Sequence, residues 1–103
     1  DILGRHLIAD FFQLFPESKD PDVIIKALDL ACEVANLTVV SKTGHHFSPY
    51  GVSAMVVIAE SHLAIHTWPE HKYAAVDVFT CGDAVDPYKA FESLKNSLGG
   101  LLY

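Results

Sequence analysis

The residues Tyr50-Gly-Val-Ser-Ala-Met-Val-Val-Ile-Ala-Glu-Ser-His-Leu-Ala-Ile-His-Thr-Trp-Pro-Glu70 decide the fold. Val52 to Ala59 is an apolar, β-branched run too short for a typical helix. His62 to Trp68 alternates polar or aromatic residues with Leu63, Ile65 and Thr67, as a half-buried strand does. Nothing between them suits a long loop, so the two strands meet at a polar corner, Glu60-Ser61. Two-residue turns favour Asn-Gly, Asp-Gly or a Gly-first pair, because they need positive φ. Glu-Ser is poorly matched to that geometry, which makes the peptide bond before the serine a candidate for chemistry.

A tight corner pairs Ala59 with His62, Val57 with Ala64, Met55 with His66 and Ser53 with Trp68. Strand side chains alternate between faces, so these residues share one face. Ala54, Val56, Ile58, Leu63, Ile65 and Thr67 occupy the other, the natural floor for helices. Ser53, His66 and Trp68 then lie together on the face the helices leave open.

Working outward, Gly4 to Gln13 reads as a first strand and Pro16 to Asp22 as a polar loop. Asp20-Pro21 opens a helix, Asp as N-cap and Pro at the first helical position. Ile24, Ala27, Leu28, Ala31 and Ala35 give it one apolar face, and Asn36 ends it. Leu37 to Ser41 is a second strand, and Thr43 to Gly51 a loop rich in ring side chains. After the central pair, Pro69 to Lys72 is a connector and Tyr73 to Phe79 a strand. Asp86-Pro87 starts a second helix with Ala90, Phe91, Leu94 and Leu98 on its apolar face, stopped by Gly99-Gly100. Leu101 to Tyr103 begins a further strand. The expected architecture is α+β: one domain over residues 1–103, a two-layer sandwich with a largely antiparallel sheet and two helices on one face.

Half of the 103 residues are hydrophobic, a high share for a small monomer and a sign of a buried subunit interface. Net charge is −6 with only seven Lys and Arg, which excludes a nucleic-acid footprint. No apolar run approaches the ~20 residues of a membrane-spanning helix. No signal-peptide pattern is present, and two cysteines make no disulfide framework, so a reduced, cytoplasmic protein is expected. Cys32 reads as core packing; Cys81, in Thr-Cys-Gly-Asp, is the thiol to watch.

The short connector puts Tyr73 near Trp68 and returns Thr80 and Cys81 beside Glu60 and Ser61. One end of the hairpin therefore holds Glu60, Ser61 and Cys81. The other holds Ser53, Trp68, Glu70 and Phe47, with His66 part-way along. Ser61 and His66 are about 16 Å apart in an extended strand, whereas acid–base contact needs roughly 3 Å. A two-fold mate packed antiparallel brings Ser53 and His66 of one protomer to Ser61 and Cys81 of the other, making two shared sites. Taken singly, each of these residues also suits a plain packing or hydrogen-bonding role. Metal binding is not expected: His62 and His66 are about 13 Å apart in a strand, and zinc needs nitrogens within ~2.1 Å of one centre. His45-His46 is the other tempting pair.

Gly4-Arg-His-Leu7, Pro49-Tyr-Gly-Val-Ser53, Glu60-Ser-His-Leu63, Ile65-His-Thr-Trp-Pro-Glu70, Tyr73-Ala-Ala-Val-Asp77 and Phe79-Thr-Cys-Gly82 occur in that order. Together, from about Leu3 to Leu98, they closely resemble the bacterial and archaeal S-adenosylmethionine decarboxylase proenzymes. The resemblance implies a two-layer α/β sandwich, active sites between two protomers, and a covalent pyruvoyl cofactor derived from Ser61. It implies autocatalytic cleavage between Glu60 and Ser61 into residues 1–60 and 61–103. It assigns Ser53 and His66 to processing, His66 as proton acceptor, and Cys81 as the proton donor in decarboxylation. Phe47 matches an adenine-stacking aromatic and Glu70 a ribose-binding carboxylate; Trp68, on the open face, joins them as a substrate-binding candidate. The pyruvoyl carbonyl takes the substrate amine as a Schiff base, for decarboxylation of S-adenosylmethionine in polyamine biosynthesis.

The chemistry needs these residue types. A serine hydroxyl is a weak nucleophile and needs a base or a strained target bond. The oxyanion needs a donor such as Ser53. His66 titrates in the range elimination requires, and a thiol can protonate the carbanion. Two rivals remain. One is the same chemistry on arginine or ornithine; the other is a non-cleaving subunit that keeps the fold, against which Glu60-Ser61, His66 and Cys81 argue.

Overall fold

The computed structural model describes residues 4–16, 20–46, 51–59, 61–81 and 86–99, and the backbone of 101–102. Strand β1 spans Gly4–Phe12, helix α1 Pro21–Val34, β2 Val39–His46, β3 Val52–Ile58 and β4 Ser61–Trp68. A 3-10 turn, Pro69–His71, leads to β5, Tyr73–Cys81; helix α2, Pro87–Leu98, and a two-residue β6, Leu101–Leu102, complete the chain. The strands form one sheet in the order β2-β3-β4-β5-β1-β6, every neighbouring pair antiparallel.

Both helices start as their Asp-Pro pairs dictate. The Asp20 carboxylate accepts from Asp22 N–H and the Asp86 carboxylate from Tyr88 N–H, so each cap satisfies a backbone donor with no intrahelical partner. Asn36 takes a positive φ of 60° just beyond α1. At the end of α2, Gly99 has a φ of 78°, and a Cβ there would meet the Phe15 ring at 2.6 Å. Only glycine fits that stop.

The core lies between the helices and one sheet face. Ile24, Leu28 and Ala31 of α1 and Ala90, Leu94 and Leu98 of α2 pack with Val56, Leu63, Ile65, Val76 and Val78 in one buried cluster. Each fully buried aliphatic side chain contributes about 1.5–3 kcal/mol. Inside the layer, Thr67 Oγ1 accepts from Val52 N–H at 2.9 Å, so the one polar side chain of β4 buried on the helix side is satisfied. Among the described residues, no helix covers the other sheet face. Ile8 is 71 % exposed there, and Phe12, Met55, Val57 and Trp68 are also exposed. The two-layer α+β expectation is met. No described helix is long and apolar enough to cross a membrane.

Two expectations change in detail. The pairs across β3 and β4 are Ser53 with His66, Met55 with Ala64, Val57 with His62 and Ile58 with Ser61, two residues from the predicted register. The corner thus falls between Ile58 and Ser61, and Ser61 is already the first residue of β4. A slip of two leaves every side chain on its predicted face, so the hydrophobic pattern could not detect it. Strand β2 also runs beyond Ser41 to His46, through half of the predicted ring-rich loop, because Ser41 to His46 pair with Val52 to Val57.

Candidate active site

The central hairpin carries two polar stations. At one, Ser53 and His66 sit directly opposite each other, and Ser53 Oγ lies 2.7 Å from His66 Nδ1. This bond engages Nδ1 and leaves Nε2 as the nitrogen able to act on another group. A shallow hollow surrounds the pair, walled by Gly44 and His45 of β2, Met55 of β3 and Ala64 of β4. A second groove, between Leu30 and Val34 of α1 and Lys89 and Glu92 of α2, is lined by no histidine or thiol.

At the other station, Cys81 N–H donates to Ser61 Oγ at 3.2 Å. The expected neighbourhood of Ser61 and Cys81 is present, and the contact runs through the Cys81 backbone. Thr80, which faces Ser61 when the β4–β5 register is extended by one pair, is fully buried. Its hydroxyl has no hydrogen-bond partner among the described residues. An orphan donor at this place fits a carbonyl-bearing group built on residue 61.

Within one strand, Ser61 and His66 are five positions apart, about 16 Å at the usual rise. The two stations therefore do not form one site within this chain. Beyond the Ser53–His66 pair, at the end away from Ser61, the open face carries an aromatic band. The His66 ring lies 6.5 Å from Trp68, Trp68 5.4 Å from Tyr73, and Tyr73 5.2 Å from Phe12. Tyr73 Oη donates to Asp10 Oδ1 at 2.6 Å, and this bond raises the phenol pKa, with desolvation adding to it. Burial likewise raises the Cys32 thiol, with Asp29 adding to the effect, which suits its packing role.

Of the predicted site residues, Ser53, His66 and Trp68 are brought together; Glu70 follows in the 3-10 turn, exposed at the same end. Phe47 and Glu60 lie outside the described residues. Sequence reasoning missed the Tyr73–Asp10 bond and a cluster of His6, His62 and Asp77 on the open face. The signal was present in β1, where His6, Ile8, Asp10 and Phe12 alternate toward the open side.

The class is defined by this fold and these two stations: an α+β sandwich with a Ser–His pair and a strand-leading serine on one hairpin. The family model described as S-adenosylmethionine decarboxylase matches residues 5–101. A protein of Thermotoga petrophila named S-adenosylmethionine decarboxylase proenzyme is 54 % identical over 97 residues, covering 93 % of this chain and 75 % of that one. One of the same name from Acidithiobacillus ferrooxidans is 53 % identical over 98 residues, covering 94 % and 74 %. The crystal structure of the adenosylmethionine decarboxylase from Aquifex aeolicus VF5 superposes with a TM-score of 0.88 at 37 % identity, covering 98 % of this chain and 85 % of that one. The chain belongs to the S-adenosylmethionine decarboxylase family.

Proposed function

We propose that this chain decarboxylates S-adenosylmethionine, using a pyruvoyl group made from its own Ser61 after cleavage between Glu60 and Ser61. The observation that carries the reading is Ser61 Oγ, held by Cys81 N–H at the first position of β4. That bond holds the hydroxyl oxygen of the residue that follows the peptide bond to be cut. In processing, Ser61 Oγ adds to the Glu60 carbonyl carbon and displaces the amide nitrogen, forming an ester. Removal of the Ser61 Cα proton then expels the Glu60 carboxylate, and water replaces the nitrogen, which leaves as ammonia. His66 takes the proton, and Ser53 stabilises the oxyanion.

A pyruvoyl group supplies an electron-withdrawing carbonyl, a sink for the electrons of the breaking carbon–carbon bond. Cys81 returns a proton to the decarboxylated carbon. Trp68, Glu70 and Phe47 bind the nucleoside end, and the aromatic band suits a cationic sulfonium.

Because Ser61 and His66 of one chain are too far apart, a second copy completes each site. The uncovered sheet face, with Ile8, Phe12, Met55, Val57 and Trp68 exposed, is the surface for that homodimer. Cys32 and Cys81 form no disulfide among the described residues, which suits the reducing cytoplasm.

Intact mass measurement tests the reading. Folded wild-type protein is expected to give fragments 1–60 and 61–103, the second one ammonia lighter than a serine-started peptide, and to release carbon dioxide from S-adenosylmethionine but not from arginine or ornithine. Ser61→Ala is expected to stay full length and inactive. A single uncut mass after long incubation of wild type overturns it.

A further inference from the structure

His6 of β1, Asp77 of β5 and His62 of β4 come from three adjacent strands of the open face. Phe79 of the middle strand pairs with His6 on one side and His62 on the other. The two imidazoles flank its ring at centroid distances of 5.9 and 6.0 Å. Asp77 lies two residues back on that strand, the diagonal neighbour of both histidines. Its Oδ1 contacts His6 Nε2 directly and lies 3.5 Å from His62 Nε2. One ring nitrogen of each histidine and a carboxylate oxygen all lie within 4.8 Å of one another.

We propose that His6, His62 and Asp77 bind a divalent first-row transition ion, zinc above all, on the open sheet face. Three arguments meet here. First, two imidazoles and one carboxylate select such ions, whereas magnesium and calcium prefer oxygen alone. Second, tetrahedral bonds of about 2.0–2.2 Å place ligand atoms roughly 3.3–3.5 Å apart, which is the His62–Asp77 separation, while His6 and Asp77, in direct contact without an ion, part by a small side-chain rotation to admit one. Third, the ligands stand on paired strands and the rings are braced by Phe79, so little ordering remains for the ion to impose. Without an ion, one carboxylate oxygen serves two imidazoles, and at 3.5 Å His62 is beyond a good hydrogen bond. On coordination, the two ring nitrogens and the carboxylate each give a lone pair, and His6 exchanges its Nε2 proton through solvent so that its one ring proton sits on Nδ1. The fourth position is left to water or to a group of the second copy that covers this face. The ion ties β1 to β4 and β5 near Ser61, and the site does not depend on the cut, because all three strands exist in both forms of the chain.

The test uses the full chain, stripped with a chelator and titrated with Co2+ and then with competing Zn2+. A stoichiometric, intense visible band of tetrahedral Co2+, displaced by Zn2+, is expected. His6→Gln, His62→Gln and Asp77→Asn are each expected to weaken binding by at least about tenfold, since even groups behind the ligands matter by that much. His71→Ala, at an exposed histidine of the 3-10 turn, is expected to bind as wild type does. Circular dichroism establishes folding. Should a histidine variant not fold, Asp77→Asn, which keeps the side-chain shape, decides alone. Absence of the band, or unchanged affinity in folded Asp77→Asn, overturns the proposal.

Discussion

Ser53 Oγ and His66 Nδ1 stand 2.7 Å apart at directly opposed positions of β3 and β4. The hydrogen bond orients an exposed imidazole that would otherwise rotate freely. His66→Ala is expected to slow cleavage after Glu60 by about 100-fold or more, the worth of a positioned base. Ser53→Ala is expected to slow it by about 100–1,000-fold if its hydroxyl holds the oxyanion. A time course on denaturing gels measures both. Melting points are expected to change little, since neither side chain lies in the core. Unslowed cleavage in both variants removes the pair from processing.

The separation of the two stations makes a stronger demand. Ser61→Ala and His66→Ala chains, differently tagged and co-expressed, are expected to form a mixed dimer in which, if sites are shared as proposed, one site loses both residues and the other keeps both. The His66→Ala chain is expected to be cut in the mixture and not alone, with about half the wild-type sites active because one of two symmetric sites is intact. No cut in a verified mixed dimer means that the residues act within one chain.

Cys81 reaches Ser61 through its backbone N–H, which alanine also has. Cys81→Ala is therefore expected to cleave at close to the wild-type rate yet decarboxylate about 100-fold or more slowly, as loss of a proton donor predicts. Mass spectrometry reports the first effect and carbon dioxide release the second. A folded but uncut variant contradicts the assignment.

Tyr73 offers a pH test. Its phenol pKa is raised above 10, first by the hydrogen bond to Asp10. A raised pKa means that the bond stabilises the fold fully below pH 10 and is lost as pH rises through the folded value. Tyr73→Phe is expected to cost about 0.5–1 kcal/mol near neutrality, a half-exposed hydrogen bond being partly screened. Denaturant melts of the two proteins are expected to converge above the folded phenol pKa. A gap that stays constant to higher pH rules out Asp10 as the source.

The architecture was legible wherever a local pattern had only one physical solution. The alternation in Val52–Ile58 and Ser61–Trp68 named both faces, and the Asp-Pro pairs marked both helix starts. The register was not legible, because a slip of two moves no side chain across the sheet. That slip matters at the site: it sets His66, rather than Trp68, opposite Ser53. The extension of β2 to His46 was hidden by His45 and His46, whose rings read as loop until β3 supplied a partner. The alternation of β1 set His6 on the open side, but bringing it together with His62 and Asp77 depends on β1 lying beside β5, a neighbour far away in sequence.

That same placement of β1 decides what a cut after residue 60 can do to the molecule. Residues 1–60 supply β1, β2, β3 and α1; residues 61–103 supply β4, β5, α2 and β6. In the sheet, β1 is threaded between β5 and β6, while β3 borders β4. The segments on either side of residue 60 are therefore interleaved, and neither contains a continuous sheet or a whole core. If the chain is cut after Glu60 as proposed, the cut severs a tether without parting the pieces. A cut molecule then persists by the slowness of its unfolding, because once melted it is two chains that must find each other again.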